Sequence, residues 1–165
     1  MNKLLVILLL CATSAMSQTD SQPLKAATVD QLLNKLAPEE QPKTRSLRNL
    51  APVQRSVDLV INFDLDSAKI KEPSKPLLDN LAAAMQSDRL INIKFKVEGH
   101  TDAQGTSDHN LKLSQSRADS VIAYMATKGI EKERLVGEGK GFSELLLPDS
   151  PKAAENRRVK ISTLP

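Results

Sequence analysis

The chain has 165 residues, with 23 Lys and Arg against 20 Asp and Glu, which gives a formal net charge of +3. This small excess does not indicate a nucleic-acid partner, and one Tyr, three Phe and no Trp leave few rings on which bases could stack. The length is sufficient for one hydrophobic core, which must be built mainly from aliphatic side chains.

The first residues have the layout of a secretory signal peptide. Lys3 provides a positive start, residues 4–11 are apolar, and small residues precede position 18. The apolar run is too short to span a bilayer, which takes about 20 such residues, and no later stretch is long enough either. We therefore predict export and a signal peptide over residues 1–17. The leucines directly before Cys11 argue against lipid attachment there.

Composition predicts a flexible linker over residues 18–56, with one short amphipathic helix over residues 28–36. Thr28 is a suitable N-terminal cap for this helix. Its apolar residues recur at helical spacing: Val29, Leu32, Leu33 and Leu36. Residues 43–55 form a loose basic run, which suits either a solvated linker or a docking segment for an anionic envelope surface or a partner protein.

From residue 57 onward, the spacing typical of strands alternates with the spacing typical of helices. Apolar residues at every second position predict strands over residues 57–63, 91–97, 134–139 and 158–163. Helices are predicted over residues 74–86 and 106–128. The apolar stripe of the longer helix comprises Leu111, Ala118, Val121, Ile122 and Met125. This pattern predicts an α/β two-layer sandwich over residues 57–165, with helices on one side of the sheet and water on the other.

Asp102 and Arg117 are the leading candidates for a binding site. Asp102 follows the second predicted strand, in a turn bracketed by Gly99 and Gly105 that can point side chains inward. A guanidinium binds a carboxylate through two parallel hydrogen bonds, and a carboxylate accepts from an ammonium, so this pair suits a ligand with both groups. The alternatives are a turn aspartate that bonds its own backbone, an exposed helix arginine, or a salt bridge between the two.

Enzymatic interpretations find less support in the sequence. His100, Asp102 and Ser114 could form a hydrolase triad, but no nucleophile elbow accompanies them. His100 and Asp102 with His109 could hold a metal, but no Cys or His cluster completes such a site. Residues 137–141 are rich in glycine but lack the spacing of a dinucleotide-binding loop. The sequence therefore favours binding without turnover and without a cofactor.

Ordered motifs in the second part of the chain carry a resemblance to a known family. They are FDLDSA at 63–68, VEGHTD at 97–102, NLKLSQSRA at 110–118, KGI at 128–130, RL at 134–135 with Gly139, and NRRV at 156–159. With these motifs, the chain resembles the OmpA-like C-terminal domain, a family that includes the peptidoglycan-associated lipoprotein and the periplasmic part of MotB. Leu65 departs from the family pattern, which has an aromatic residue there, and we expect this leucine to fill part of the core.

The resemblance implies a four-stranded mixed sheet in the order βαβαβ(α)β and non-covalent binding of cell-wall peptidoglycan. The ligand group would be the diaminopimelate of the stem peptide, gripped through its amino and carboxyl groups by Asp102 and Arg117. The family pattern places four further residues around the same pocket: Asp66, Asn110, Leu113 and Arg157. A location in the periplasm of a Gram-negative envelope, associated with the outer membrane, follows, and an envelope protein is a possible second partner.

Overall fold

The computed structural model describes residues 22–38 and 53–165. The predicted signal peptide, Cys11 and most of the basic run lie outside these residues. The elements are α1 (Val29–Leu36), β1 (Ser56–Leu59), α2 (Lys75–Gln86), β2 (Lys94–His100), α3 (Ser107–Thr127), β3 (Leu135–Gly141) and β4 (Val159–Leu164). Short 3-10 helices lie at Glu72–Ser74, Lys132–Arg134 and Ala154–Asn156. Within the described ranges, no helix has both the length and the apolar character that crossing a membrane requires.

The four strands form one mixed sheet in the order β1-β4-β2-β3. β4 pairs antiparallel with both β1 and β2, whereas β2 and β3 run parallel because α3 connects them in a crossover. The predicted fold class, an α/β sandwich with a four-stranded mixed sheet, is therefore confirmed. Between β3 and β4, the 3-10 helix Ala154–Asn156 stands where the predicted order allowed a further helix.

Two strands are shorter than the alternation of apolar residues predicts. β1 ends at Leu59 instead of residue 63, because the next residues bond to other parts of the chain. The Val60 N–H donates to the Leu24 carbonyl oxygen at 2.8 Å, and the Asn62 N–H donates to Ser74 Oγ at 2.8 Å. β2 begins at Lys94, since the Ile91 N–H donates to the Ser87 carbonyl in a turn that follows α2.

The N-terminal segment, defined as residues 22–38, packs onto the sheet domain. Thr28 and Gln31 cap α1 reciprocally, each side chain bonding the backbone N–H of the other. Leu32 and Leu36 are fully buried in the same hydrophobic cluster as Leu81 of α2. The short amphipathic helix predicted within residues 18–56 is therefore present. The segment around it is not the flexible linker that we expected, because its apolar stripe packs on the domain.

This packing predicts that Leu32→Ala lowers the free energy of unfolding by about 2–4 kcal/mol, since a buried leucine is replaced by a cavity. Urea unfolding of the protein, followed by circular dichroism, measures the loss. Asn34→Ala, on the exposed side of the same helix, serves as the matched control. Equal stability of both variants and the parent protein would show that α1 is not part of the folded unit.

α3 lies unusually close to the backbone of β2 and β3. A Cβ added at Gly99 would stand 2.2 Å from the Ser114 carbonyl oxygen, and one added at Gly139 would stand 2.5 Å from the Gln115 nitrogen. Large side chains therefore cannot lie between this part of α3 and the sheet, and Ser114 is buried there. Leu111, which the periodicity assigned to the buried stripe, is 50% exposed, so that assignment is wrong.

Side chains of α3 also bond to the backbone of β3. Gln115 Oε1 accepts the Gly139 N–H at 2.8 Å, and Ser114 Oγ accepts the Gly141 N–H at 2.8 Å. The glycine-rich run at residues 137–141 is thus part of β3 beneath α3. Its glycines are explained by how closely the helix packs on the strand.

Candidate functional site

A cleft of about 450 Å³ opens where β2 ends and α3 begins. Its walls come from the loop after β1, the turn after β2, the first half of α3 and the loop before β4. Every residue predicted for the site lines it: Asp66, Asp102, Asn110, Leu113, Arg117 and Arg157. The structure thus brings together residues that are widely separated in the chain, while their role in binding remains a prediction.

Asp102 is held in the turn after β2 with its side chain only 9% exposed. Oδ1 accepts the Gln104 N–H at 3.1 Å, and Oδ2 accepts from Nη1 of Arg157 at 2.7 Å. Asn110 secures the same turn, because its Nδ2 donates to the Gln104 carbonyl oxygen at 2.7 Å. Asp102 therefore bonds its own turn and also forms an ion pair, but its partner is Arg157 and not Arg117.

Arg117 reaches the cleft from α3 and contacts the loop after β1. Its Nε donates to the Ser67 carbonyl oxygen at 3.1 Å, and its guanidinium lies over the Phe63 ring, 4.9 Å from the centroid. In the part of the chain that the structure describes, its terminal nitrogens have no hydrogen bond and no ion pair.

The surroundings of Arg117 disfavour its charge. Burial lowers the pKa of Arg117, and the nearby Arg157 lowers it further, whereas Asp102 and Asp66 act in the opposite direction. An arginine still keeps its proton in a protein, so the cleft contains a partly desolvated positive charge. An incoming anion would find that charge without a competing partner.

The opposite rim of the cleft is formed by Asp66 and His109. Asp66 has a φ of 48°, in the left-handed region, and its Oδ1 lies 2.7 Å from Nε2 of His109. The sequence suggested His109 only as a possible metal ligand and gave no sign of this contact. Leu65 is 96% exposed beside this rim, so the expectation that it fills the core is wrong: the loop turns it toward solvent.

The loop before β4 presents Arg157 to Asp102. Asn156 is fully buried, its Oδ1 accepts the Leu147 N–H at 2.9 Å, and its Nδ2 donates to the Ser150 carbonyl oxygen at 3.0 Å. These bonds tie the two ends of the loop together. The NRRV motif thus supplies Asn156, which stabilises the loop, and Arg157, whose side chain reaches the cleft.

The groups considered for catalysis do not form a triad. His100 is buried, and neither of its ring nitrogens has a hydrogen-bond partner among the described residues. The Ser114 hydroxyl donates to the Leu111 carbonyl and accepts the Gly141 N–H. His109 bonds Asp66, and within the described ranges no three His, Cys, Asp or Glu side chains gather as a metal site would require.

His100 predicts an acid-sensitive stability. Burial and the charge of Arg158 lower the pKa of His100 from 6.5 to about 4. As the pH falls, His100 therefore takes up a proton in the unfolded chain before it does so in the folded chain. The resulting stability is complete above pH 6.5 and is lost as the pH falls from 6.5 through 4. The loss approaches about 3 kcal/mol.

Urea unfolding at pH 7, 5 and 4 measures this loss, and His100→Gln provides the non-titrating control. The variant should lose less stability on acidification than the parent protein. Identical pH dependence in both would contradict the assignment to His100.

Comparisons with known proteins agree with this architecture. Residues 62–158 match the sequence profile of the OmpA family. Outer membrane protein A from Bordetella avium is 39% identical over 127 residues, which cover 74% of this chain and 62% of that protein. The chain therefore spans less than two thirds of that relative.

Two solved structures share the fold. The peptidoglycan-associated lipoprotein from Burkholderia pseudomallei is 28% identical, with a TM-score of 0.55 over 67% of this chain and 90% of that one. The OmpA-like domain of FopA1 from Francisella tularensis is 23% identical, with a TM-score of 0.58 over 69% of this chain and 75% of that one, and supports the fold alone. Since the profile match covers more than half of its residues, the chain belongs to the OmpA family.

Proposed function

We propose that this chain binds cell-wall peptidoglycan non-covalently through the diaminopimelate of its stem peptide. The observation that carries the proposal is the charge arrangement of the cleft, where Arg117 has no anionic partner among the described residues and Asp102 lines the same walls. The peptidoglycan-associated lipoprotein, whose name refers to the same polymer, shares the fold and supports the choice of ligand.

In this proposal the ligand's carboxylate binds Arg117 and its ammonium binds Asp102. The terminal nitrogens of Arg117 form a fork that matches a carboxylate, while its Nε stays on Ser67 and fixes the plane of the group. A carboxylate has about four lone-pair sites, so Asp102 can accept from an ammonium while it keeps its bond to Arg157.

The same geometry makes the cleft selective for diaminopimelate over lysine. The outer end of a diaminopimelate side chain carries an ammonium and a carboxylate on one carbon, whereas lysine carries the ammonium alone. A lysine peptide would leave the partly buried charge of Arg117 without its anion, and sites built around a polar group discriminate strongly against ligands that lack it.

The wider role follows from the family and from the start of the chain. We propose export through the signal peptide at residues 1–17 and a periplasmic location associated with the outer membrane. Recognition of the wall requires no cofactor. The alternative is an envelope partner docked on the basic run at residues 43–55. Of this run the structure describes residues 53–55, where the Arg55 backbone N–H donates to Thr163 Oγ1 at 3.0 Å.

Sedimentation with purified sacculi tests the proposal. The protein should pellet with sacculi whose stem peptides contain diaminopimelate, and free meso-diaminopimelate should release it. Sacculi with lysine in the same position should retain much less protein, and free lysine should release none. Equal retention by both kinds of wall, or no release by diaminopimelate, would refute it.

A further inference from the structure

A second hollow of about 290 Å³ adjoins the cleft and shares the walls formed by Phe63, Arg117 and Arg157. Its remaining walls include Lys25, which belongs to the N-terminal segment, and Asn62 from the loop after β1. The two hollows therefore lie side by side with the guanidinium groups in common, so a ligand held in the first would have its next residue near the second.

Three cationic side chains line this second hollow, and no Asp or Glu does. Nη1 of Arg157 donates to Asp102, and the other guanidinium nitrogens of Arg157 have no partner in the described chain. Lys25 forms no ion pair within the same residues. The hollow thus has an excess of positive charge. Burial lowers the pKa of Arg117, and the neighbouring Arg157 lowers it further.

Lys25 is held at this position by its neighbours in the N-terminal segment. The Leu24 N–H donates to the Asp58 carbonyl at 2.8 Å, and the Leu24 carbonyl accepts the Val60 N–H at 2.8 Å. Ala27 is buried, and its carbonyl accepts from Asn80 Nδ2 at 2.8 Å. The backbone is thus fixed on both sides of Lys25, which lines the hollow.

We infer that this second hollow is a carboxylate subsite for the same stem peptide, completed by Lys25 from the N-terminal segment. The inference rests on the proposed function. In a diaminopimelate stem peptide, the neighbouring glutamate is joined through its γ-carboxyl, so its α-carboxyl is a free anion. A ligand whose diaminopimelate occupies the first hollow brings that anion toward Lys25, Arg117 and Arg157.

Two synthetic peptides that differ only at the glutamate α-carboxyl test this subsite. L-alanyl-γ-D-glutamyl-meso-diaminopimelate carries the free α-carboxylate, and the corresponding peptide with D-isoglutamine carries a neutral amide. Calorimetric titration of the exported chain should give tighter binding of the acid than of the amide. Lys25→Gln should weaken binding of the acid by about two- to five-fold, as expected for an exposed ion pair, and leave binding of the amide unchanged.

Lys132→Gln, an exposed lysine outside both hollows, is the matched control and should alter neither affinity. Thermal melts establish that each variant is folded. If the parent protein binds both peptides but Lys25→Gln changes neither affinity, or weakens both equally, the subsite is refuted while the proposed function stands. If the parent protein binds neither peptide, the proposed function itself fails, and the subsite fails with it.

Discussion

Arg117→Ala is expected to lower the affinity for diaminopimelate peptides by about 30-fold or more, because loss of one partner of a desolvated charge pair costs about 2–5 kcal/mol. The ligand's carboxylate would enter the cleft without its forked donor, close to Asp102 and Asp66. Arg117→Lys should recover little of the loss, since a single ammonium cannot form two parallel bonds to a carboxylate.

Calorimetric titration with the acid tripeptide measures the effect, with Arg89→Ala as the control at an exposed arginine outside the cleft. Arg117 also bonds Ser67 and stacks on Phe63, so a thermal melt must accompany the titration. Arg117 is a cleaner test than Asp102, whose removal would also release Arg157 into the cleft. Binding within three-fold of the parent protein by a folded Arg117→Ala variant would exclude the proposed grip.

The largest expected effect on stability comes from Gly99→Ala, with a loss of about 3 kcal/mol or more in the free energy of unfolding. The added Cβ would stand 2.2 Å from the Ser114 carbonyl oxygen and 3.0 Å from its carbonyl carbon. Both atoms belong to the backbone of α3 and cannot rotate away. The helix would have to move off the sheet, or the turn carrying Asp102 would have to shift.

Gly137→Ala is the matched control for this substitution. Its added Cβ would meet Ile122 Cδ1 at 2.9 Å, the end of a side chain that can change rotamer, so the loss should be smaller. Urea unfolding measures both variants. Equal losses for Gly99→Ala and Gly137→Ala would show that the close approach of α3 at Gly99 imposes no special constraint.

The sequence predicted the architecture because apolar spacing reports which face of each element is buried. It misplaced Leu111 because spacing does not reveal how close a helix lies to its sheet. At that point the helix rests on glycines, and small polar residues occupy the buried side. The packing of α1 was missed for another reason: charged and proline-rich surroundings suggested a linker, although Leu32 and Leu36 formed a stripe that needed a partner.

At the site, the resemblance of the motifs to the family identified the residues that line the cleft. It did not reveal which of their side chains form ion pairs with one another. Asp102 and Arg157 are 55 positions apart, and they come into contact where the loop held by Asn156 meets the turn after β2. Lys25 belongs to no motif and lies in a segment that we expected to be a linker. Its place in the wall of the second hollow is evident only from the folded chain. Pairing and distance of this kind depend on tertiary structure, which local patterns do not encode.

The outer strands of the sheet have some of their backbone groups already engaged. Leu24 bonds beside β1, and side chains of α3 occupy the N–H groups of Gly139 and Gly141 in β3. Open sheet margins act as templates for other polypeptides and promote aggregation. By covering parts of both margins, the fold reduces unwanted strand-to-strand association.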